Sequence, residues 1–234
     1  MILRYTSHPM KTIFITGTDT DVGKTFIGTR LTEKLLQAGL KLSVRKPIES
    51  GCQRQGAALL PADASNYVSA YQNASTDNCD LDDVCRYRYE PAISPERAIR
   101  LANETVSVQQ LVTACQGDAS DELLLVEGAG GFYSPLCSDG LNADLAEAMQ
   151  AQVILVVRDR LGCINQALLS LAAIESCGLE CLAVIVNQIP TTDEEDVAMD
   201  NLADLSARLK LPVLPYNTNE ANNTLDKLLQ IVHG

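Results

Sequence analysis

With 234 residues, the chain is long enough for one open α/β domain and its core, expected over 1–234 with residues 1–10 as an N-terminal extension. Its 18 basic and 30 acidic side chains leave a net charge of −12 with no basic run, which argues against nucleic acid as a partner. Eight cysteines without a C-x-x-C, and only two histidines (His8 and His233), argue against a disulfide scaffold, a zinc site and histidine catalysis.

Met1 to Met10 mix Arg4, His8 and Pro9 with few apolar side chains, so no signal-peptide core is expected. No apolar run reaches membrane-spanning length, and a soluble cytoplasmic protein without a membrane partner follows as the expectation. The first informative stretch is Ile13-Phe-Ile-Thr-Gly-Thr-Asp-Thr-Asp-Val-Gly-Lys-Thr25, a strand and a glycine turn ahead of a helix from Phe26 to Gln37. Free N–H groups and the positive dipole end of that helix would face the loop, as in a phosphate cradle. Lys24 would then reach the β/γ phosphates and the Thr25 hydroxyl would hold Mg²⁺. The strict G-x-x-x-x-G-K-[ST] spelling is missed by one position, because Gly17 comes one residue early and Thr18 stands in its place. An ordinary helix start is the alternative reading.

Gly39 closes the first helix, and Lys41 to Lys46 forms a short strand stopped by Pro47. Strand carboxyl ends line the binding crevice of an open α/β sheet, so Lys46 can point at phosphates; a surface lysine is the bland alternative. Residues 52–62 read as loop, and Ala62 to about Tyr71 as helix, with Asp63 either its N-cap or a magnesium-facing carboxylate. After a polar loop over 73–83, Arg86 to Tyr89 is extended, and helices follow from Ser94-Pro95 to Leu101 and from Val108 to Cys115.

Glu122-Leu-Leu-Leu-Val-Glu127-Gly-Ala-Gly-Gly131 is a buried strand that ends in a carboxylate and glycines. Glu127 there can hold Mg²⁺, and the glycines let backbone approach phosphates, although they are also ordinary turn material. A helix over Asn142 to Met149, capped by Asn142 or Asp144, precedes an apolar strand, Val153 to Val157. Next come Leu161-Gly-Cys-Ile-Asn165, a long helix to Cys177, and a strand from Cys181 to Val186 that ends at Asn187-Gln188. An acidic amphipathic helix from about Asp193 to Leu209, the segment Pro212 to Pro215, and a helix from Leu225 to Val232 complete the chain. Strands alternating with helices at this spacing predict a mostly parallel central sheet with helices on both faces, of the P-loop NTPase type.

Four stretches taken together resemble the dethiobiotin synthetase family: Gly17 to Thr25, Lys46-Pro-Ile-Glu-Ser-Gly51, Glu127 to Gly131 followed by Ser134-Pro-Leu136, and Leu161 to Asn165. This family writes its loop with Thr18, and the likeness runs through nearly the whole chain. It implies an ATP- and Mg²⁺-dependent ligase that joins CO₂ to 7,8-diaminononanoate and closes a ureido ring in biotin biosynthesis, with ATP as co-substrate. Lys46 and Lys24 would be the catalytic lysines, and Ser50 and Ser94 would contact the diamine. Thr25, Asp63 and Glu127 would be the metal ligands. The nucleotide would be lined by Asp21, Val22, Gly23, Lys24, Thr25, Phe26, Asp63, Glu127, Gly128, Ala129 and Gly130. Asn187 would read the adenine beside Gln188, Pro215, Tyr216 and Asn217, with Glu220 or Asn222 as a further candidate. In the family, the turn at Gly162, Cys163, Ile164 and Asn165 holds the substrate carboxylate of a neighbouring subunit, so a homodimer is implied. The chain departs from the family at Glu96 and Arg97, at Arg158 and Arg160, and at Gln188. The competing reading is an ATP switch of the partition or division-positioning type, but the extra loop lysine of those proteins is Asp19 here and no basic C-terminal helix follows. A cobyrinate-amidating relative would need a glutamine-hydrolysing domain for which the chain is too short.

Overall fold

The computed structural model describes residues 10–118, 120–189, 199–217 and 219–233. Its first half contains β1 (Lys11–Gly17), α1 (Lys24–Gln37), β2 (Leu42–Arg45), β3 (Ile48–Ser50), β4 (Gln53–Gln55) and β5 (Ala58–Leu60). These are followed by α2 (Ala62–Ala74), α3 (Leu81–Val84), β6 (Tyr87–Tyr89), α4 (Pro95–Leu101) and α5 (Val108–Ala114). The second half holds β7 (Leu123–Gly131), β8 (Pro135–Cys137), β9 (Gly140–Leu141), α6 (Asn142–Ala148) and β10 (Gln152–Arg158). The chain then continues through α7 (Cys163–Ser176), β11 (Cys181–Asn187), α8 (Asn201–Arg208), β12 (Val213–Tyr216) and α9 (Ala221–His233).

Six strands form one parallel sheet in the order β12-β11-β10-β1-β7-β2. Successive residues of a strand face opposite sides, and β1 shows this directly. Ile13 and Ile15 pack with Ile27, Leu31, Leu35 and Tyr67 under α1 and α2, while Phe14 packs with Leu124, Val126 and Leu145 on the other face. Apolar runs such as Leu123–Val126 and Val153–Val157 therefore suit central strands, which are covered on both sides. Short parallel β3–β6 and antiparallel β8–β9 pairs lie outside the main sheet.

The one-residue offset of the first glycine has a steric cause. Between β1 and β7 the register jumps from Ile15↔Glu127 to Gly17↔Gly131, and the loop folds back over the strand end. A Cβ on Gly17 would meet Val22 Cγ2 at 2.6 Å and Asp19 O at 3.0 Å, so the tight point lies at 17, not at Thr18.

Three expectations change. The polar loop expected over 73–83 holds the last residues of α2 and most of the short helix α3, whose N-cap Asp80 accepts from Asp82 N. Residues 52–62 are not simply loop: Gln53 pairs with Leu60 and Gln55 with Ala58 in a hairpin closed by Gly56-Ala57. Gln53, Arg54 and Gln55 are all exposed, so no polar/apolar alternation advertises the first strand. The acidic helix expected from Asp193 appears as α8 over Asn201–Arg208, and its 193–198 part, like the extension over 1–9, lies outside the described residues.

Candidate active site

The carboxyl ends of β1, β7 and β2 converge on a cavity of about 830 Å³, lined among others by Lys24, Thr25, Lys46, Asp63, Glu127 and Ser50. Gly23, left-handed at φ 99°, turns the chain into α1 and leaves Lys24 at the first turn, where helix N–H groups point at the cavity. A Cβ there would lie 2.1 Å from Asn187 Nδ2, so the loop, β11 and the helix start can be this close only with glycine at 23. Lys24 Nζ donates to Asp19 O at 2.8 Å within its own loop.

Lys46 follows β2 directly and is almost fully buried. Its ammonium donates to Glu127 Oε1 at 2.6 Å and to Gly128 O at 2.8 Å, and lies 3.3 Å from Asp63 Oδ2. Thr25 Oγ1 donates to the same Glu127 oxygen at 2.8 Å, and the Tyr67 hydroxyl donates to Oε2 at 2.8 Å. Burial alone would depress Lys46, but the Glu127 and Asp63 carboxylates more than offset it and hold its pKa above that of an ordinary lysine. For Lys24 the balance goes the other way: burial, followed by repulsion from Lys46, lowers its pKa to about 8 despite the nearby carboxylates. The two lysines thus stand as one permanent cation and one that titrates near physiological pH.

Asp63 is not the N-cap of α2, a position taken by Pro61. The cap comes instead from Glu49, whose two carboxylate oxygens accept from Asp63 N and Ala64 N, each at 3.0 Å. With the helix end satisfied from β3, the Asp63 side chain is left free to face Lys46. Glu49 stands within the Lys46–Gly51 stretch, but its capping role has no local signature, because its partners lie fourteen and fifteen residues away. Asn142 is likewise not a cap. Fully buried, it accepts from Ala129 N at 2.8 Å and donates to Ala129 O, Gly131 O and Ser134 O, bracing the glycine loop after Glu127. Asp144 does serve the start of α6, accepting from Leu141 N at 2.6 Å.

Ser50 and Ser94 line the cavity, with Ser50 Oγ donating to Ile93 O at 2.5 Å. Asp21, Gly23, Phe26, Ala129 and Gly130 line it as well, whereas Val22 contributes its carbonyl to Asn187 Nδ2 at 2.9 Å. Asn187, Gln188, Pro215, Tyr216 and Asn217 gather at the ends of β11 and β12 but do not line this cavity. There Gln188 donates to Asp159 at 3.0 Å and accepts from Asn217 at 2.7 Å, and Phe26 meets Tyr216 edge-on with ring centroids 5.6 Å apart. Of the further candidates, Glu220 accepts from Asn223 at 2.9 Å. Gly162, Cys163, Ile164 and Asn165 stand apart from the chain's own cavity: Cys163 is buried, while Gly162 and Asn165 are exposed. Arg160, just before them, reaches Asp19 of the phosphate loop at 3.4 Å.

Thr25, Asp63 and Glu127 offer only hard oxygen donors, the chemistry that suits Mg²⁺. Among the described residues, no three Asp, Glu, His or Cys side chains are grouped to hold a metal by themselves. This donor set therefore fits an ion that arrives with phosphate oxygens and water.

A family model described as an AAA domain matches residues 11–222. Among curated proteins, the chain is 42% identical over 180 residues to an ATP-dependent dethiobiotin synthetase BioD of Ruthia magnifica, covering 77% of this chain and 81% of that one. A protein of the same name from Pseudoalteromonas translucida is 36% identical, covering 89% and 91%. Among solved structures, the MinD cell division protein of Aquifex aeolicus superposes with a TM-score of 0.52 at 19% identity, over 92% of this chain and 86% of that one, a likeness of fold alone.

Proposed function

The chain belongs to the ATP-dependent dethiobiotin synthetase family, and from that premise we propose how its residues carry out the ring closure. The reaction joins CO₂ to 7,8-diaminononanoate and spends ATP to close the ureido ring. One amine captures CO₂ as a carbamate, the carbamate oxygen attacks the γ-phosphate with release of ADP, and the second amine then displaces phosphate from the mixed anhydride.

The observation that carries this reading is the convergence of Lys24, Lys46, Thr25, Asp63 and Glu127 on one cavity. A carbamate and a triphosphate repel each other, and fixed cations in a water-poor site offset that repulsion. Lys46, held protonated by two carboxylates, acts as a fixed charge and not as a base. Lys24 leaves Asp19 O for the β/γ phosphates, while the free N–H groups of α1 bind their oxygens. Thr25, Asp63 and Glu127 would hold Mg²⁺, which when bound supplies positive charge against the β- and γ-phosphate oxygens. Ser50 and Ser94 face the diamine, and Asn187, Gln188, Pro215, Tyr216 and Asn217 form the adenine side. The α7 turn at Gly162–Asn165 lies away from its own cavity and would serve the carboxylate of a substrate in the second subunit of a homodimer. Leu161, just before that turn, and Leu169 on α7 are exposed and support such a contact.

Incubation with ATP, Mg²⁺, bicarbonate and the diamine should give ADP only when the diamine is present, with dethiobiotin formed in equal amount. ADP formation indifferent to the diamine would instead mark a nucleotide switch.

Lys24 gives a further expected result. Phosphate oxygens favour its charged form, so ATP binding should pull its pKa back up from about 8. ATP binding in EDTA at about pH 8.5 should therefore be accompanied by proton uptake at Lys24, and this contribution should fade toward pH 6.5, where Lys24 is already charged. Calorimetry in two buffers of different ionisation enthalpy reads this uptake; identical heats at the higher pH would show that Lys24 is already charged.

A further inference from the structure

Glu127 has two oxygens with different neighbours. Among the described residues, Oε1 accepts from Lys46 and Thr25, whereas Oε2 accepts from the Tyr67 hydroxyl alone. Both Glu127 and Tyr67 are 1% exposed, so no solvent replaces that donor. The terminal torsion of a glutamate is broad, and the plane of its carboxylate is set by whatever bonds the second oxygen. Tyr67 stands four residues after Asp63 on α2, on the same face of the helix, so one element presents a carboxylate and orients another.

Space for the hydroxyl is made on the facing helix. A Cβ at Gly28 of α1 would lie 1.8 Å from the Tyr67 oxygen and 2.8 Å from its Cζ. Packing alone would be met by phenylalanine or leucine, whereas a buried phenol needs a partner for its O–H, and here that partner is a charged group beside two lysines.

We propose that Tyr67 is a positioning residue: its hydroxyl fixes the Glu127 carboxylate in the orientation that receives the metal–triphosphate complex, and Gly28 is the clearance that lets it do so. The inference rests on the proposed metal-side role of Glu127. It does not depend on which acceptor the phosphoryl group reaches.

The test is calorimetric titration of Tyr67→Phe with ATP in Mg²⁺ and, separately, with ATP in EDTA. Loss of a partner that orients a metal ligand typically weakens metal affinity about 10- to 100-fold. Binding in Mg²⁺ should therefore weaken about ten-fold or more, while binding in EDTA stays unchanged. Gly28→Ala, which pushes the hydroxyl off Glu127, should show the same split and carries the test if Tyr67→Phe does not fold. Equal weakening in both titrations, or none in Mg²⁺, would overturn the proposal. Because nucleotide binding is measured, a split without diamine-dependent turnover would sink the ring-closure reading and leave the role of Tyr67 standing.

Discussion

Lys46→Ala should lose diamine-dependent turnover by at least about 10²-fold, the effect of deleting one fixed charge-stabilising group from a preorganised site. ATP affinity should change by less than about ten-fold, since Lys24 and the start of α1 are untouched. A second effect follows from burial. Glu127 is 1% exposed, and without Lys46 it becomes a charge shut away from solvent, which costs about 3–5 kcal/mol of stability. Turnover and stability can be separated with Lys46→Ala/Glu127→Gln, which removes the orphaned charge: much of the unfolding free energy should return, while ring closure stays absent. Full turnover by the single variant would refute the assigned role.

Glu127→Gln is expected to produce the largest combined loss. It removes the nearer of the two carboxylates that pair with buried Lys46, leaving Asp63 at 3.3 Å, and weakens the acceptor for both Thr25 and Tyr67, so stability should again fall, by up to about 3–5 kcal/mol, in denaturant unfolding. If Glu127 also contributes to metal binding, the Mg²⁺ concentration for half-maximal turnover should rise about 10-fold or more. An unchanged Mg²⁺ titration together with the stability loss would make Glu127 purely the structural partner of Lys46.

Much of this site is legible in the sequence because its principal groups stand where an apolar strand meets a glycine or proline. Lys46 directly follows β2 ahead of Pro47, Glu127 begins the polar glycine end of β7, and Lys24 opens the helix after the β1 turn; the carboxyl side of a parallel sheet is where such groups meet a ligand. What supports those groups is not legible. Tyr67 and Glu127 are sixty residues apart, and Glu49 reaches α2 from another element, so neither bond has a local period or cap spacing. Asn142 could be read as a cap because its residue type suits one, yet the fold turns its amide toward the glycine loop. The β4–β5 hairpin escaped for a different reason, since a polar, solvent-facing strand carries no hydrophobic signature.

The outer strand β12 spans four residues and includes Pro215, whose nitrogen carries no hydrogen. A newcomer backbone trying to extend the sheet past that border would find a missing rung in a very short ladder. Self-recognition along this border by adding strands, including the runaway kind that ends in fibres, is thereby discouraged.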